Sequence, residues 1–194
     1  MTNLEIEYKT LLTKNEYNRL LFQMKHVTPV TQTNYYIDTK AFDLKANKMS
    51  LRIRTFVNSA ELTLKVPEKV GNREYNVPLF LEQAKDMIKH GNLPESTALD
   101  IIISKGIKPS ALVTFGNLTT VRRETVIPIG KLALDYNLYA NTKDYELELE
   151  LEVSDALQGK IDFDSFLSEH HITFKYAKSK VARCINTLKK FNDK

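Results

Sequence analysis

The fold is decided by the stretch Leu4-Glu5-Ile6-Glu7-Tyr8-Lys9-Thr10-Leu11-Leu12 near the start of the chain. Its side chains alternate with a period of two, so a strand would point Glu5, Glu7 and Lys9 to one side. An antiparallel strand with one solvated face would alternate in the same way. The stretch therefore predicts a strand with one charged face, and the remaining sequence decides whether that face meets water or a site.

Length and composition favour one soluble domain spanning residues 1–194. The chain has 194 residues, of which 42% are hydrophobic and 27% charged, and a formal net charge of +4. Cys184 is the single cysteine, which excludes an internal disulfide and fits a reducing compartment. No secretory signal pattern and no apolar run long enough to span a bilayer occur. We therefore expect a cytoplasmic protein with no membrane partner.

Hydrophobic periodicity predicts both kinds of secondary structure. Helices are predicted over 14–26, 81–90, from Ser96 to Gly106, near 163–169 and over 178–191. Strands are predicted over 4–12, 32–39, 49–57, 61–66, 73–79, 112–117, 118–127, 131–139 and 145–153. Two groups of strands divided by helices indicate one α+β antiparallel sheet or barrel. Closure of such a sheet would remove its exposed edges.

The segment 145–153 shows the strictest alternation in the chain. One face carries four glutamates, namely Glu146, Glu148, Glu150 and Glu152. This face could simply be solvated on an edge strand. However, like charges on neighbouring positions repel, and glutamate is a poor strand former. A divalent cation would offset the repulsion, since Mg²⁺ and Mn²⁺ prefer carboxylate oxygens.

Basic side chains repeat on the strands between the acidic ones. Arg52 and Arg54 share a face of the predicted strand 49–57. This pair could also face outward, but guanidinium suits bidentate phosphate contacts. Further point charges could come from lysines, namely Lys9, Lys65 and Lys178 or Lys180. If the acidic and basic faces converge, they form a cavity for a polyanion with divalent metal.

Several other chemistries are excluded by the sequence. The four histidines lack metal-ligand spacing such as HExxH, and Cys184 has no evident partner base. Neither GxGxxG nor GxxxxGK[ST] occurs, so a Gly-rich phosphate loop is absent. The mild net charge permits a polyanionic ligand without demanding nucleic acid, and we expect no duplex nucleic acid partner.

The ordered set of charged motifs resembles the CYTH superfamily, the triphosphate tunnel metalloenzymes, and most closely its small single-domain bacterial branch. Glu5-Ile6-Glu7-Tyr8-Lys9 is similar to the ExExK signature of that superfamily. The resemblance continues through Asn34-Tyr35-Tyr36-Ile37-Asp38-Thr39, Leu51-Arg52-Ile53-Arg54, Leu62-Thr63-Leu64-Lys65, Arg122-Arg123, Leu134-Asp135, the glutamate run and Ser179-Lys180. It implies a closed eight-stranded antiparallel β-barrel with surrounding helices, whose bore is a triphosphate tunnel.

The resemblance also implies roles for particular residues. The implied metal ligands, for two Mg²⁺ or Mn²⁺ ions, are Glu5, Glu7, Asp135 and two members of the set Glu146, Glu148 and Glu150. The implied phosphate contacts are Lys9, Arg52, Arg54, Lys65, Arg122, Lys178 and Lys180, with Arg122 preferred over Arg123 on spacing. The candidate catalytic set is Glu5, Glu7, Lys9, Tyr36 and Lys65, although tyrosines at such positions are more often core or rim than catalytic.

One departure from the family pattern concerns the strand after Lys65. Many members carry a second Glu-x-Glu there, whereas this sequence reads Glu74-Tyr75-Asn76. The missing carboxylate changes the charge count of the site and leaves the substrate open.

The resemblance implies a metal-dependent hydrolase in which water attacks the terminal phosphorus of a triphosphate. Its substrate would be inorganic tripolyphosphate or an organic triphosphate such as thiamine triphosphate. Two alternatives stay open, which are a class IV type adenylate cyclase and a non-catalytic module that binds polyphosphate or nucleotides. The expected partner is a triphosphate-containing small molecule, and a homodimer is possible.

Overall fold

One antiparallel sheet of nine strands, curled into a half-barrel, forms the centre of the α+β fold. The computed structural model describes residues 1–151 and 156–192. The strands are β1 (Thr2–Glu5), β2 (Glu7–Leu12), β3 (Val30–Thr39), β4 (Ser50–Thr55), β5 (Ala60–Pro67), β6 (Asn72–Leu79), β7 (Leu112–Ile127), β8 (Gly130–Tyr139) and β9 (Thr142–Glu150). Their order across the sheet is β1-β6-β5-β4-β3-β7-β8-β9-β2.

The two edges of this sheet are consecutive in the chain. β1 pairs with β6 and β2 pairs with β9, and only Ile6 separates β1 from β2. The stretch predicted as one strand over 4–12 is therefore divided at Ile6, and because the predicted strands 112–117 and 118–127 form a single strand, the total stays at nine. The Ile6 carbonyl accepts a hydrogen bond from the Leu151 amide at 2.9 Å. The curled antiparallel sheet is confirmed, while closure into an eight-stranded barrel stays a prediction.

Helices pack against the sheet through its apolar positions. They are α1 (Lys14–Gln23), α2 (Asp43–Ala46), α3 (Leu81–His90), α4 (Thr97–Ser104), α5 (Ala156–Glu169) and α6 (Lys180–Asn192), with a 3-10 turn at Pro109–Ala111. One apolar cluster joins β3, β4 and β5 to α3 and α4, and a second joins β2, β8 and β9 to α1 and α5. Because side chains alternate along each strand, this packing leaves the opposite, charged positions facing inward.

The local signals for helix ends are confirmed. Thr13 caps α1 in a reciprocal box with Glu16, and Ser96 caps α4 through the Leu99 amide. Gly91 ends α3 with a φ of 77°, a left-handed conformation that favours glycine. No helix among residues 1–151 and 156–192 is both long and apolar enough to cross a membrane. The cytoplasmic location stays a prediction.

Some predicted boundaries are wrong. The segments 112–117 and 118–127 form one 16-residue strand, β7, whose register with β3 shifts between Tyr36 and Ile37. Such a shift interrupts the alternation that a sequence pattern follows. The helix predicted near 163–169 is longer and spans Ala156–Glu169. Glu152 lies outside the described residues.

Candidate functional site

A cavity of about 320 Å³ lies on the inner face of the curled sheet. Its described lining carries more cationic than acidic side chains. The cations are Lys9, Lys45, Lys48, Arg52, Arg54, Lys65, Arg122, Lys131 and Lys180, and the acids are Glu5, Glu7, Asp38, Glu124, Glu148 and Glu150. The surplus of positive charge suits an anion, while the carboxylates suit a metal cation.

The strand pairing brings the acidic residues of distant segments together. Glu7 and Glu150 are direct partners across the β2–β9 pair, and Lys9 stands opposite Glu148. Like charges directly opposite one another destabilise a sheet. Both Glu7 and Glu150 line the cavity, so a cation bound there would relieve this repulsion.

Two glycines let turns approach the backbone of the acidic positions. Gly71 has a φ of 73°, and a Cβ there would come within 2.1 Å of the Glu5 carbonyl oxygen. Gly130 has a φ of 140°, and a Cβ there would come within 2.3 Å of the Glu150 carbonyl oxygen. Only glycine fits either position. Glu5 and Glu150 are thus both held in place by close backbone contact.

Glu5 is the carboxylate for which the structure provides the least compensation. Burial raises its pKa, and the negative charges of Glu7 and Glu74 raise it further, although the contact with the Lys65 ammonium opposes these effects. Glu5 is 9% exposed and lines the cavity. A metal cation beside Glu5 and Glu7 would favour the ionised form.

The arginines of β4 form a cationic wall with too few partners. The Nε atom of Arg52 is buried and has no hydrogen-bond partner among the described residues, and its Nη2 lies 3.7 Å from Glu74 Oε1. Burial and the neighbouring charges of Arg52 and Arg122 lower the pKa of Arg54 to about 10. Clustered half-buried guanidinium groups repel one another, so the wall is suited to receive an anion.

Lysines balance most of the cavity carboxylates. Lys65 contacts Glu5 and lies 3.0 Å from Glu74, and Lys9 contacts Glu7. Burial would lower the pKa of Lys9, but the carboxylates of Glu7 and Glu148 outweigh it and raise the pKa. A lysine ammonium on its flexible stem can turn from a carboxylate to a phosphate.

A second charged cluster lies deeper, where β8, β9 and α6 meet. Oxygen atoms of Asp135, Glu146 and Glu148 all lie within 4.8 Å of one another. Lys180 Nζ reaches all three, at 2.9, 2.8 and 2.5 Å respectively. Arg122 donates two hydrogen bonds to Asp135, at 2.8 and 2.7 Å, and contacts Glu148.

The same cations set the ionisation of Glu148. Burial would raise the pKa of this carboxyl, but Lys180, Arg122 and Lys9 outweigh it and hold the pKa well below its usual range. Glu148 is therefore a carboxylate that faces the cavity with cations on several sides.

Asn76, the residue that departs from the family pattern, is also near the cavity. Asn76 donates to Asn3 Oδ1 at 3.0 Å and to Glu74 Oε2 at 3.4 Å. Burial would raise the pKa of Glu74, but Lys65 and Arg52 outweigh it and lower the pKa to about 2. The amide of Asn76 thus neighbours a carboxylate that is already ionised, where a second carboxylate would add repulsion.

The structure brings most of the predicted site residues into one cavity. Arg122 faces it, whereas Arg123 donates to the Val27 carbonyl oxygen at 3.1 Å. Tyr36 lines the cavity, and burial raises its pKa to about 12, so it is a neutral phenol. Asp135 and Glu146 are fully buried behind the lining, and Lys178 is exposed and outside it.

Several lining residues were not found by sequence reasoning. Gln32 and Asn34 are buried on the inner face of β3, and Asn34 accepts a hydrogen bond from Arg54 at 3.1 Å. Lys131 lies 3.3 Å from Glu150. Alternation on β3 gives a signal for the amides. Lys45 lies in α2 and Lys48 just after it. That both line the cavity depends on the three-dimensional path of the chain, which the sequence pattern does not give.

The donor set fits a divalent metal ion of the Mg²⁺ type. Hard cations take carboxylate oxygens, and the cavity offers Glu5, Glu7, Glu148 and Glu150 on adjoining strands. The raised pKa of Glu5 indicates that its negative charge is incompletely compensated, and the opposed pair Glu7 and Glu150 each contact one lysine, Lys9 and Lys131, which a phosphate could draw away. The identity and number of ions do not follow from these contacts.

Comparison with known proteins agrees with this arrangement. The CYTH domain family model matches residues 3–185. The chain belongs to the CYTH family. YjbK of Bacillus subtilis, provisionally named a triphosphatase, is 33% identical to this CYTH chain over 182 residues, which cover 93% of each protein.

Solved structures show the same fold. A Bacillus halodurans protein, provisionally named an adenylate cyclase, is 31% identical, with a TM-score of 0.87 over 94% of this CYTH chain and 97% of that one. A Hippeastrum protein reported to have a dominant triphosphatase activity is 23% identical, with a TM-score of 0.75 over 92% and 94% of the two chains. At that identity the second likeness concerns the fold alone.

Proposed function

We propose that this CYTH protein hydrolyses a triphosphate inside the cavity, with Mg²⁺ or Mn²⁺. The observation that carries the proposal is the cationic wall, in which the half-buried Arg52 and Arg54 lie side by side and Arg52 Nε has no hydrogen-bond partner among the described residues, beside a group of cavity carboxylates. A linear polyanion with a bound cation satisfies both sets of charges at once. The relation to YjbK, provisionally named a triphosphatase, supports the same activity.

In the proposed reaction, water attacks the terminal phosphorus and the anhydride bond to the next phosphate breaks. Arg52, Arg54 and Arg122 hold the phosphate oxygens and neutralise the charge that builds on them in the transition state. Glu5, Glu7, Glu148 and Glu150 would hold a divalent metal ion, which would supply positive charge for the phosphates and lower the pKa of the attacking water. One of the cavity carboxylates accepts the proton of the water.

The lysines have two partners in this proposal. Lys9, Lys65 and Lys180 contact carboxylates in the structure, and they turn toward phosphate when the substrate enters. Each exchange frees carboxylate oxygen for the metal. Substrate and metal would therefore bind cooperatively. Full closure of the sheet into a tunnel, a second ion and a homodimer stay proposals beside this one.

Adenylate cyclase is the second candidate, and the aromatic part of the cavity favours it. Phe115 lines the cavity, stacks with Tyr36 at a centroid distance of 6.2 Å and meets the edge of Phe42 at 5.5 Å. A purine could stack on such a surface. The Bacillus halodurans relative is provisionally named an adenylate cyclase.

The test is phosphate release from tripolyphosphate, ATP and thiamine triphosphate, each with Mg²⁺, with Mn²⁺ and with chelator. We expect metal-dependent orthophosphate release from at least one of them. ATP consumption that yields diphosphate and cyclic AMP would favour the cyclase. Binding of tripolyphosphate without any turnover would favour a non-catalytic module.

A further inference from the structure

Glu146 shares the acidic face of β9 with Glu148 and Glu150, but it is held differently. Arg183 donates from Nη1 to Glu146 Oε1 at 3.0 Å and from Nη2 to Oε2 at 2.6 Å. Glu146 is fully buried and Arg183 is 8% exposed. A bidentate guanidinium–carboxylate pair fixes both groups in one geometry. Both oxygens of Glu146 are therefore engaged by Arg183, and Oε2 also lies 2.8 Å from the Nζ atom of Lys180, while Glu146 itself is absent from the described cavity lining.

Further contacts fix Arg183 itself. Its Nη1 also donates to the Lys178 carbonyl oxygen at 3.0 Å, and its Nε lies 3.1 Å from Asp144 Oδ2. Asp144 accepts hydrogen bonds from the Tyr139 hydroxyl at 2.6 Å and from the Asn137 amide at 2.9 Å. We name these residues, Arg183, Glu146, Asp144, Asn137 and Tyr139, the docking network. Arg183 Nε has no hydrogen-bond partner among the described residues, but the carboxylates of Glu146 and Asp144 balance the charge of the guanidinium without a ligand.

Glu148 contacts both Arg122 and Lys180, which line the cavity, and the carboxylates of β1 and β2 have lysine partners alone. Glu5 and Glu7 contact Lys65 and Lys9, lysines that line the cavity and can turn to phosphate. Arg183 is absent from the described lining, so a phosphate in the cavity cannot draw it away. Substrate binding would thus release Glu5 and Glu7 for metal, but would leave Glu146 held.

The docking network also fixes the beginning of α6. Ser179 Oγ accepts a hydrogen bond from the Ala182 amide at 3.3 Å, so the helix begins with Lys180. Lys180 and Arg183 are three residues apart and lie on the same side of the helix. Cations in a first turn oppose the helix dipole, and here carboxylates of β8 and β9 offset that cost. Arg183 therefore helps to determine where the Lys180 ammonium lies.

We propose that Arg183 is a positioning residue that keeps Glu146 out of the metal site and fixes Lys180 at the cavity wall. The assignment of Lys180 to phosphate rests on the proposed function. It follows that Glu148 and Glu150, rather than Glu146, are the metal ligands of the acidic run. The three neighbouring acids Asp135, Glu146 and Glu148 then serve chiefly to form ion pairs with cationic side chains of α6 and β7.

The first test measures binding of Mn²⁺ alone to the protein, by the electron paramagnetic resonance signal of the free ion. Glu148→Gln is expected to weaken binding by at least about tenfold. The paired replacement Glu146→Met with Arg183→Met removes the ion pair without leaving a buried charge, and should leave the affinity within about twofold. Glu95→Gln, at an exposed position, is the matched control.

Two results of this test would overturn the assignment of ligands. One is a tenfold loss of Mn²⁺ affinity in the paired replacement while its thermal midpoint matches the wild type. The other is an unchanged affinity in Glu148→Gln. Neither result depends on turnover, so the metal part is tested even if no triphosphate is hydrolysed. Absence of turnover in the wild type would instead contradict the proposed function.

The second test concerns positioning. Arg183→Met is expected to lower kcat for phosphate release by at least about tenfold, and Arg183→Lys should recover part of that loss. The paired replacement should be no slower than Arg183→Met within about threefold, because Arg183 acts through Glu146. A folded Arg183→Met variant with wild-type kcat and KM would overturn the positioning role. The positioning role would also be overturned if the fold-losses in kcat of the single replacements Glu146→Met and Arg183→Met multiplied in the paired replacement.

Discussion

The cationic wall and the docking network both place arginines at the sheet that bears the cavity, but the partners of these arginines differ. Arg52 has a buried Nε without a partner among the described residues, and it lowers the pKa of its neighbour Arg54. Arg183 instead meets both oxygens of Glu146 and lies against Asp144. The Nε atom of Arg183 also has no hydrogen-bond partner among the described residues, so the two regions differ in charge balance: the wall sets like charges side by side, whereas Arg183 lies between two carboxylates. The difference indicates which charges serve a ligand and which serve the fold.

The largest effect is expected from breaking the docking network at one partner. Glu146→Gln removes the bidentate carboxylate partner of the buried Arg183 guanidinium and leaves it Asp144 alone, which should cost about 3 kcal/mol in the free energy of unfolding. Urea unfolding followed by circular dichroism measures this change. A loss below about 1 kcal/mol would mean that the pair contributes no more than an exposed ion pair does.

Arg52→Met is expected to have a comparably large effect, but on activity. Unlike Glu146→Gln, it should not lower the stability. Removing a group that stabilises the transferred phosphate should lower kcat/KM by about a hundredfold or more. The unfolding free energy should stay equal or rise, because repulsion with Arg54 is removed. Phosphate-release kinetics and urea unfolding of one preparation measure both changes. A destabilised variant with unchanged kcat/KM would reverse the roles given to the two regions.

The next prediction concerns an anion added without metal. Tripolyphosphate in the presence of chelator should stabilise the wild type by about 2.7 kcal/mol at a hundred times its Kd, since it binds the folded wall. Arg52→Met should lose most of that stabilisation at the same concentration. Thermal unfolding provides the measurement, with sulfate at matched ionic strength as the control. Equal stabilisation of both proteins would place the anion elsewhere.

The smallest effect lies far from the cavity, at the cap of α1. Burial would raise the pKa of Glu16, but hydrogen bonds from the Thr13 backbone and from Lys175 outweigh it and lower the pKa to about 2. Because the folded pKa lies below the ordinary value of 4.5, the stabilisation is present above pH 4.5 and is lost as pH falls toward 2.

Glu16→Gln should therefore cost about 1 kcal/mol at pH 7, and the difference from the wild type should shrink below pH 4.5. Urea unfolding at a series of pH values measures it. Activity under saturating substrate should not change, because this cap serves only the fold. A difference that persists undiminished at pH 2.5 would contradict the ionised cap.

Alternation predicted the inner face of the sheet well. Glu5, Glu7, Arg52, Arg54 and Lys65 all line the cavity, because a period of two fixes the side on which a strand residue lies. The curled sheet also followed from the pattern. The division of the first strand at Ile6 did not, since the same alternation continues across it.

The burial of individual charged side chains and the identity of their partners could not be predicted from the alternation. Glu146, Glu148 and Glu150 are equivalent in sequence, yet Glu146 is bound by Arg183, whereas Glu148 and Glu150 line the cavity. This difference arises because α6 docks beside one end of β9. A helical residue more than thirty positions away gives no periodic signal for its partner. The same holds for Lys131 and Lys45, whose cavity positions depend on the path of the turns.

The most direct test of the account follows the oxygen of the attacking water. Tripolyphosphate is incubated in ¹⁸O-labelled water with Mg²⁺, and the products are resolved by ³¹P nuclear magnetic resonance, with Arg52→Met and a chelated sample run beside the wild type. The account predicts that the label enters orthophosphate, that the diphosphate product is unlabelled, and that both controls turn over at least about a hundredfold more slowly. Label in the diphosphate, or equal turnover by Arg52→Met, would contradict hydrolysis at the terminal phosphorus against the cationic wall.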